Sequence, residues 1–154
     1  MVRLGDLSAA ERDHIMGKEL PTYDDVPWVE GPPLADRRVA LITTAGLHRV
    51  DEEAFAFVDL SYRVIAGDTD LGDLTMTHSS VHFDRNGFRR DVNVVFPLDR
   101  LRELAADGTI GSVADHHYSL MGAGWPPEMI EPTCDELARH LLADGVDAVC
   151  LVPV

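Results

Sequence analysis

The chain has 154 residues, of which 45% are hydrophobic and 26% are charged. These proportions are typical of a globular domain and exclude a disordered or fibrous chain, and about 150 residues are enough to bury a substantial core. The formal net charge of −14 would repel nucleic-acid phosphates and anionic lipid, so neither nucleic acid nor a membrane is an expected partner.

The N-terminal residues and the cysteines predict a cytoplasmic protein. Residues 1–20 are too highly charged for a signal peptide, and the apolar runs are much shorter than the ~20 residues of a membrane span. The two cysteines, Cys134 and Cys150, lack the spacing of a disulfide framework. A reducing compartment is therefore expected.

Residues 1–36 are predicted to form an N-terminal helix and an extended arm, followed by a single domain over residues 37–154. The helix is expected near residues 9–20, and the arm is rich in proline and aspartate, which favour turns. Tyr23 and Trp28 in the arm are expected to pack onto the domain or onto a partner subunit, because an isolated exposed tryptophan is uncommon.

Strand and helix patterns alternate along the domain. Apolar or alternating runs predict strands at residues 39–44, 62–66, 74–83 and 148–152, while leucine spacing and a capping-box pattern predict helices at residues 98–105 and 133–142. This order predicts an α/β fold, Rossmann-like or flavodoxin-like, in which a mostly parallel sheet is layered with helices. Glycine-rich dinucleotide fingerprints and phosphate-binding loops are absent from the sequence.

The segment of residues 77–84 carries the densest set of chemically active side chains. In an extended strand, His78, Ser80, His82 and Asp84 would share one face. Such a row is suited to binding a metal through His78, His82 and Asp84, to acid–base catalysis or substrate contact, or to structural hydrogen bonding. The two histidines would lie ~13 Å apart at Cα in a straight strand, which weighs against a metal unless the strand bends.

The two cysteines have different expected environments. Cys134 lies at the start of the helix predicted from residue 133, where the helix dipole would lower the pKa of its thiol and favour a nucleophilic or metal-binding thiolate. Asp135 and Glu136 act in the opposite direction. Cys150 lies in an apolar strand and is expected to pack in the core.

Several motifs in order resemble the B component of the glycine, sarcosine, betaine and D-proline reductases, a selenoprotein B family. They are residues 63–70 (RVIAGDTD), the segment with His82, Phe83 and Asp84, residues 91–104 (DVNVVFPLDRLREL), residues 111–114 (GSVA) and residues 117–122 (HYSLMG). The resemblance implies an α/β fold and, in the reductases, reductive cleavage of a C–N bond by a redox-active selenol or thiol. It also implies that the redox Cys/selenocysteine pair lies beyond a strand corresponding to residues 148–154, so the chain resembles a short form without that pair.

The resemblance also selects between the adjacent histidines His116 and His117. Neighbouring side chains of a strand point to opposite sides, so one of the two normally enters a given site. His117 is favoured because in the family the corresponding histidine is followed by an aromatic residue and serine. A transition metal, the one cofactor considered, would then use His78, His82 and His117.

Three hypotheses follow. The first is a small reductase-B-like enzyme that acts on a small metabolite through His78, His82, Asp84 and His117, by acid–base or metal-assisted chemistry and without the family's thiol or selenol. The second is a non-catalytic subunit or pseudoenzyme in a homo- or hetero-oligomer. It would pair, through residues 149–154 and the arm around Trp28, with a partner that supplies the redox half. The third is a metal-binding protein that uses the histidines.

Overall fold

A computed structural model of the chain describes residues 3–17, 22, 29–80, 85–122 and 125–154. The predictions for Tyr23, Trp28, His82 and Asp84 fall outside these residues and stay predictions. The described part has a mixed α/β structure, and within it no helix combines the length and apolar character needed to cross a membrane.

In the described part, one α-helix is followed by four strands, two α-helices, two strands, a long α-helix and a last strand. The strands are β1 (Arg38–Thr43), β2 (Leu47–Arg49), β3 (Tyr62–Ala66), β4 (Leu74–Met76), β5 (Ser112–Val113), β6 (His116–Leu120) and β7 (Ala148–Val152). The α-helices are α1 (Ala9–Met16), α2 (Asn86–Arg90), α3 (Leu98–Ala106) and α4 (Pro127–Ala143). Short 3-10 helices occur at Leu4–Asp6, Leu34–Asp36, Leu71–Asp73 and Val92–Val94.

The main sheet is mostly parallel, as predicted. β1 lies at its centre and pairs in parallel with β7 on one side. On its other side β1 pairs in parallel first with β5 and then with β6, and β3 adds to β6 as an antiparallel edge strand. β2 and β4 form a separate two-stranded antiparallel sheet.

The side chains of β1 alternate between the two faces of the sheet, with one large apolar cluster on one face and two smaller clusters on the other. Val39 and Leu41 belong to the larger cluster, which joins the sheet to α3 and the small β2–β4 sheet; its other fully buried members include Ala45, Leu47, Phe96 and Leu98. Ala40 and Ile42 face α4, whose Leu141 contacts both smaller clusters. Complete burial of one such leucine or phenylalanine stabilises the fold by about 1.5–3 kcal/mol.

Helix α4 begins at Pro127, six residues before the predicted start at Thr133. Proline is tolerated in the first turn of a helix, where its missing N–H leaves no bond unmade. The Thr133 hydroxyl does not cap the helix but donates a 2.8 Å hydrogen bond to the carbonyl oxygen of Leu60. The predicted capping box at residues 133–136 is therefore wrong.

Strand β4 ends at Met76, so the predicted strand over residues 74–83 is too long. Residues 77–80 have no strand structure. Thr77 N–H donates to the carbonyl oxygen of Gly46, and the Arg85 guanidinium donates to those of His78 and Ser80. The ladder thus ends at Thr77, and the Arg85 bonds hold residues 78–80 in an irregular conformation, so His78 and Ser80 do not form the start of the extended row.

The amino ends of β1, β6 and β7 are joined by charged side chains. Arg38 donates to Asp144 Oδ1 at 2.6 Å, and Asp144 Oδ2 accepts from the backbone N–H groups of Asp115 and His116. Arg38 N–H donates to Asp147 at 2.9 Å. Burial alone would raise the pKa of Asp144, but Arg38 and the two N–H donors lower it further than burial raises it.

Candidate functional site

In parallel α/β sheets, ligands bind outside the carboxyl ends of the strands. In this protein Thr44 joins the carboxyl ends of three chain segments. Its N–H donates to Val152, its carbonyl oxygen accepts from Gly122 N–H, and its hydroxyl oxygen accepts from Val154 N–H at 2.9 Å. We use the term carboxyl-end rim for the residues that converge there: Thr44, Gly46, residues 77–80, Met121, Gly122 and Val154.

Two glycines permit the close approach of segments at the carboxyl-end rim. Gly46 has φ +64°, a conformation that L side chains rarely adopt, and a Cβ at this position would overlap the carbonyl oxygen of Thr77. A Cβ at Gly122 would lie 2.6 Å from Thr44 Cβ. Both positions therefore require glycine for the segments to meet.

His78 is the predicted site residue that the structure places at the carboxyl-end rim. Its side chain is buried, and its Nδ1 accepts a 3.1 Å hydrogen bond from Ser80 N–H, so the neutral ring carries its proton on Nε2. Burial lowers the pKa of His78, the Arg85 cation lowers it further, and the Thr44 backbone partly offsets these effects. The imidazole is therefore neutral at physiological pH.

The structure places a further histidine, His48, in this region, although no motif in the sequence marks it. His48 is buried, its Nδ1 donates to the Arg49 carbonyl oxygen at 2.8 Å, and its Nε2 lies 2.9 Å from Thr77 Oγ1. A carbonyl oxygen accepts but does not donate, so Nδ1 carries a proton. His48 thus orients Thr77, the residue immediately before His78.

His117 lies in the core, and its described contacts are made there. It is fully buried on β6; its Nδ1 accepts a 2.9 Å hydrogen bond from Leu41 N–H, and its ring packs edge-on to Phe96 with centroids 5.9 Å apart. Burial, assisted by the Arg102 cation, lowers its pKa to about 4. These contacts indicate a structural histidine, and the proposed catalytic or metal-binding role of His117 finds no support in them.

Both cysteines differ from their expected environments. Cys134 is exposed in the middle of α4, where partial burial of the thiol and the neighbouring Asp135 and Glu131 raise its pKa. The predicted lowering of this pKa by a helix N-terminus is wrong, because the helix begins seven residues earlier. Cys150 lies on β7 as predicted, but it is exposed and does not pack in the core.

Within the described residues, no group of three or more histidine, cysteine or acidic side chains is arranged to hold a metal ion. The proposed ligand set of His78, His82 and His117 includes a residue outside that part of the chain. Of the other two, His117 already has one ring nitrogen occupied by Leu41. The metal site therefore stays a prediction.

Comparison with known proteins identifies close sequence relatives. The chain is 38% identical over 120 residues to the D-proline reductase subunit gamma of Acetoanaerobium sticklandii. This alignment covers 77% of the chain and 49% of that protein. It is 31% identical over 141 residues to the glycine reductase complex component B subunit gamma of Symbiobacterium thermophilum, covering 86% of the chain and 32% of the relative. The sarcosine reductase complex component B subunit beta of Peptoclostridium acidaminophilum is 28% identical over 142 residues, with 86% and 31% covered.

The chain thus spans about half the length of the first of these relatives and about a third of the other two. No solved structure matches the chain significantly. The family profile described as glycine/sarcosine/betaine reductase selenoprotein B matches residues 11–154. Because this match extends over most of the chain and includes every strand of both sheets, the chain belongs to the glycine/sarcosine/betaine reductase selenoprotein B family.

Proposed function

We propose that residues 1–154 form the part of a reductase B component that provides the site at which the family's thiol or selenol acts. The redox group itself is supplied by polypeptide outside these residues, as in the second hypothesis from the sequence. The substrate class is a small amino acid or its N-methylated derivative, by analogy with the relatives named for glycine, sarcosine and D-proline. The layering of the sheet is proposed to be Rossmann-like or flavodoxin-like.

The observation that carries this proposal is the position of Val154. By the family resemblance, the redox pair of the relatives lies beyond the strand that corresponds to β7. Val154, just after β7, donates to the Thr44 hydroxyl oxygen, and the backbone of Thr44 also acts on the imidazole of His78. A redox residue delivered beside Val154 would therefore lie at the carboxyl-end rim, near a buried neutral histidine.

The chemistry of the rim supports this assignment. A thiolate or selenolate is the reactive form of such a group, and a nearby cation such as Arg85 favours it over the protonated form. Cleavage of a C–N bond leaves an amine nitrogen that has to take up a proton. Neutral His78 can supply this proton only after taking one up itself; the imidazolium so formed is a stronger acid than that of a free histidine because its pKa is lowered, and donation returns it to the neutral ring.

The two cysteines of the chain are poorly suited to serve as the redox thiol of the family. The raised pKa of Cys134 reduces its thiolate fraction, and Cys134 lies within α4 while Cys150 lies in the middle of β7. This favours a thiol or selenol from elsewhere over one within the described residues.

A second candidate is favoured by the neutral state of His78. In it, the chain performs acid–base chemistry on a small metabolite by itself, with or without a transition metal, and needs no thiol. The two candidates differ in one requirement, because the first depends on a redox-active polypeptide and the second does not.

The test is to purify the protein from its own cells under reducing conditions, with any associated polypeptide retained. Intact mass and peptide sequencing would identify what accompanies residues 1–154. Reduction of D-proline, sarcosine, glycine and betaine by a dithiol would then be assayed for this assembly and for the isolated 154-residue chain. We expect activity in the assembly and none in the isolated chain.

Two variants sharpen the assay. His78→Gln should lower kcat by at least tenfold while the assembly remains intact, whereas His14→Gln, on the exposed helix α1, should leave it unchanged. If the isolated chain with both cysteines replaced by serine still catalyses the reduction, the first candidate is wrong.

A further inference from the structure

The apolar sequence of β7 is typical of a central strand, but β7 lies at the edge of the main sheet. Ala148–Val152 is an uninterrupted apolar run, which is typical of a parallel strand covered on both faces and paired on both edges. In the described part of the chain, β7 pairs along one edge with β1 and with no strand along the other. Its central three residues are exposed.

The exposed side chains extend over both faces of β7. Val149 and Leu151 pair with Ala40 and Ile42 of β1, so they lie on the face that α4 covers, and they are 39% and 69% exposed. Cys150 pairs with Leu41 and lies on the other face. In the neighbouring helix α4, Leu142 is 75% exposed. We call the three exposed strand residues, Val149, Cys150 and Leu151, the β7 surface.

The open edge also lacks the features that normally protect one. Edge strands of natural proteins usually carry lysine, an inward-facing charge, a bulge or proline within the strand. No residue from 148 to 154 is charged, and the proline in this stretch, Pro153, follows the end of β7. The edge is therefore open to pairing with another strand.

We propose that the free edge of β7 receives a parallel strand from the polypeptide that carries the family's redox group, and that this polypeptide covers the β7 surface. This inference rests on the proposed function. About one half to two thirds of the length of these relatives lies outside the part that matches the chain, so such polypeptide exists in the family. The carboxyl end of the same strand reaches the rim where the redox group is proposed to act.

A second copy of the chain is the less favoured occupant. Two chains would each bring a net charge of −14, and their mutual repulsion opposes association along a short five-residue edge. A parallel strand from a different segment also continues the parallel order that β1, β6 and β7 already share.

The test measures access to Cys150, with Cys134 as the matched internal control. Both thiols are exposed in the isolated chain and should react with a maleimide at pH 8. In the assembly purified from cells, we expect Cys150 to be labelled at least tenfold more slowly and Cys134 at an unchanged rate. Peptide mass spectrometry separates the two sites.

A charged substitution tests the same contact without labelling either cysteine. Leu151→Lys should release the redox polypeptide and leave the melting temperature of the isolated chain nearly unchanged, since this side chain is 69% exposed. Val64→Lys, on the opposite edge strand β3 with a 43% exposed side chain, should leave the assembly intact.

The outcomes separate the two proposals. If the redox polypeptide accompanies the chain but Cys150 is labelled equally fast with and without it, this inference is wrong and the proposed function stands. If the isolated chain protects Cys150, through its own arm or through a second copy detected by light scattering, this inference is also wrong. If the chain is active with no accompanying polypeptide, the proposed function fails and this inference fails with it.

Discussion

The backbone N–H of Leu41 donates a hydrogen bond to Nδ1 of His117 over 2.9 Å, in the interior of the main sheet. β5 pairs with β1 at Arg38 and Val39, and β6 pairs with it at Ile42 and Thr43. On this side of β1, Leu41 lies in the gap between the two pairings and has no strand residue in register with it, whereas on the other side it pairs with Cys150 of β7. The imidazole thus replaces a backbone acceptor, and a buried N–H left without one would cost about 1–3 kcal/mol.

This contact predicts that acid destabilises the protein. In the unfolded chain His117 titrates near 6.5, whereas in the folded protein its pKa is about 4 because its ring is buried. Between these values the unfolded state binds a proton that the folded state does not, so stability falls as the pH is lowered from 7 to 4. The two pKa values correspond to a loss of about 3 kcal/mol, measurable by urea unfolding across this range.

His117→Asn isolates the contribution of this residue. The amide oxygen can accept the Leu41 N–H but does not titrate, so the variant should lose stability at neutral pH and show a smaller loss between pH 7 and pH 4. His78, whose pKa is also lowered, contributes in the same direction in both proteins and cancels in the comparison. An unchanged pH dependence would contradict a neutral buried His117.

The charged network at Arg38 predicts a second effect on stability. Arg38→Met leaves the largely buried Asp144 carboxylate without its guanidinium partner, and we expect the free energy of unfolding to fall by about 2–4 kcal/mol. Arg100→Met removes an exposed ion pair with Glu103 and should cost less than about 0.5 kcal/mol. Equal losses for the two variants in chemical denaturation would show that the Arg38 network contributes no more than a surface pair.

Glycine substitution tests the packing at the carboxyl-end rim. Gly46→Ala introduces a Cβ that overlaps the Thr77 carbonyl oxygen and forces alanine to φ +64°, so we expect a loss of at least about 3 kcal/mol. Gly108 also has positive φ, +79°, but open space around it, so Gly108→Ala should cost only about 1 kcal/mol. The thermal unfolding of the two variants separates steric overlap from backbone strain.

The thiol of Cys134 should alkylate more slowly than a free cysteine at neutral pH. Its raised pKa reduces the fraction present as thiolate, which is the reactive form. The rate of iodoacetamide modification, followed in a Cys150→Ser variant from pH 7 to pH 10, should still be rising where that of a free cysteine has levelled off. A rate above that of free cysteine at pH 7 would mean that Cys134 is activated.

The fold was partly predictable, because several strands have strong local patterns, but β2, β5 and β6 are short or polar and were not predicted. Tyr62–Ala66 and Ala148–Val152 form strands at the predicted residues, and α3 differs from its prediction by one residue. The start of α4 was not predictable from the capping pattern, because two prolines conceal the amphipathic spacing that continues through Ile130 and Leu137. Those contacts with the sheet decide the helix start, and tertiary packing is not visible in local sequence.

The candidate site was only partly predictable. His78 was selected from a period-2 row that does not form, yet it reaches the carboxyl-end rim through a turn closed by Arg85. The burial of His117 was not predictable, because the family resemblance marks the residue but does not show which way its ring points, and its catalytic or metal-binding role stays a prediction. His48 was missed because its partner Thr77 is 29 residues away in sequence.

The charged network around Asp144 gives the molecule two unlike ends. At the amino ends of β1, β6 and β7, a guanidinium and carboxylates fix the strands through ionic hydrogen bonds. At the opposite end, Thr44 joins the segments through neutral hydroxyl and backbone bonds. Charged hydrogen bonds are about twice as strong as neutral ones. Amide hydrogen exchange should therefore be slower at His116 and Asp115 than at Gly122 and Val154. The end at Asp144 is thus expected to be the more rigid one, so that adjustment to the proposed redox group would be concentrated at the carboxyl-end rim.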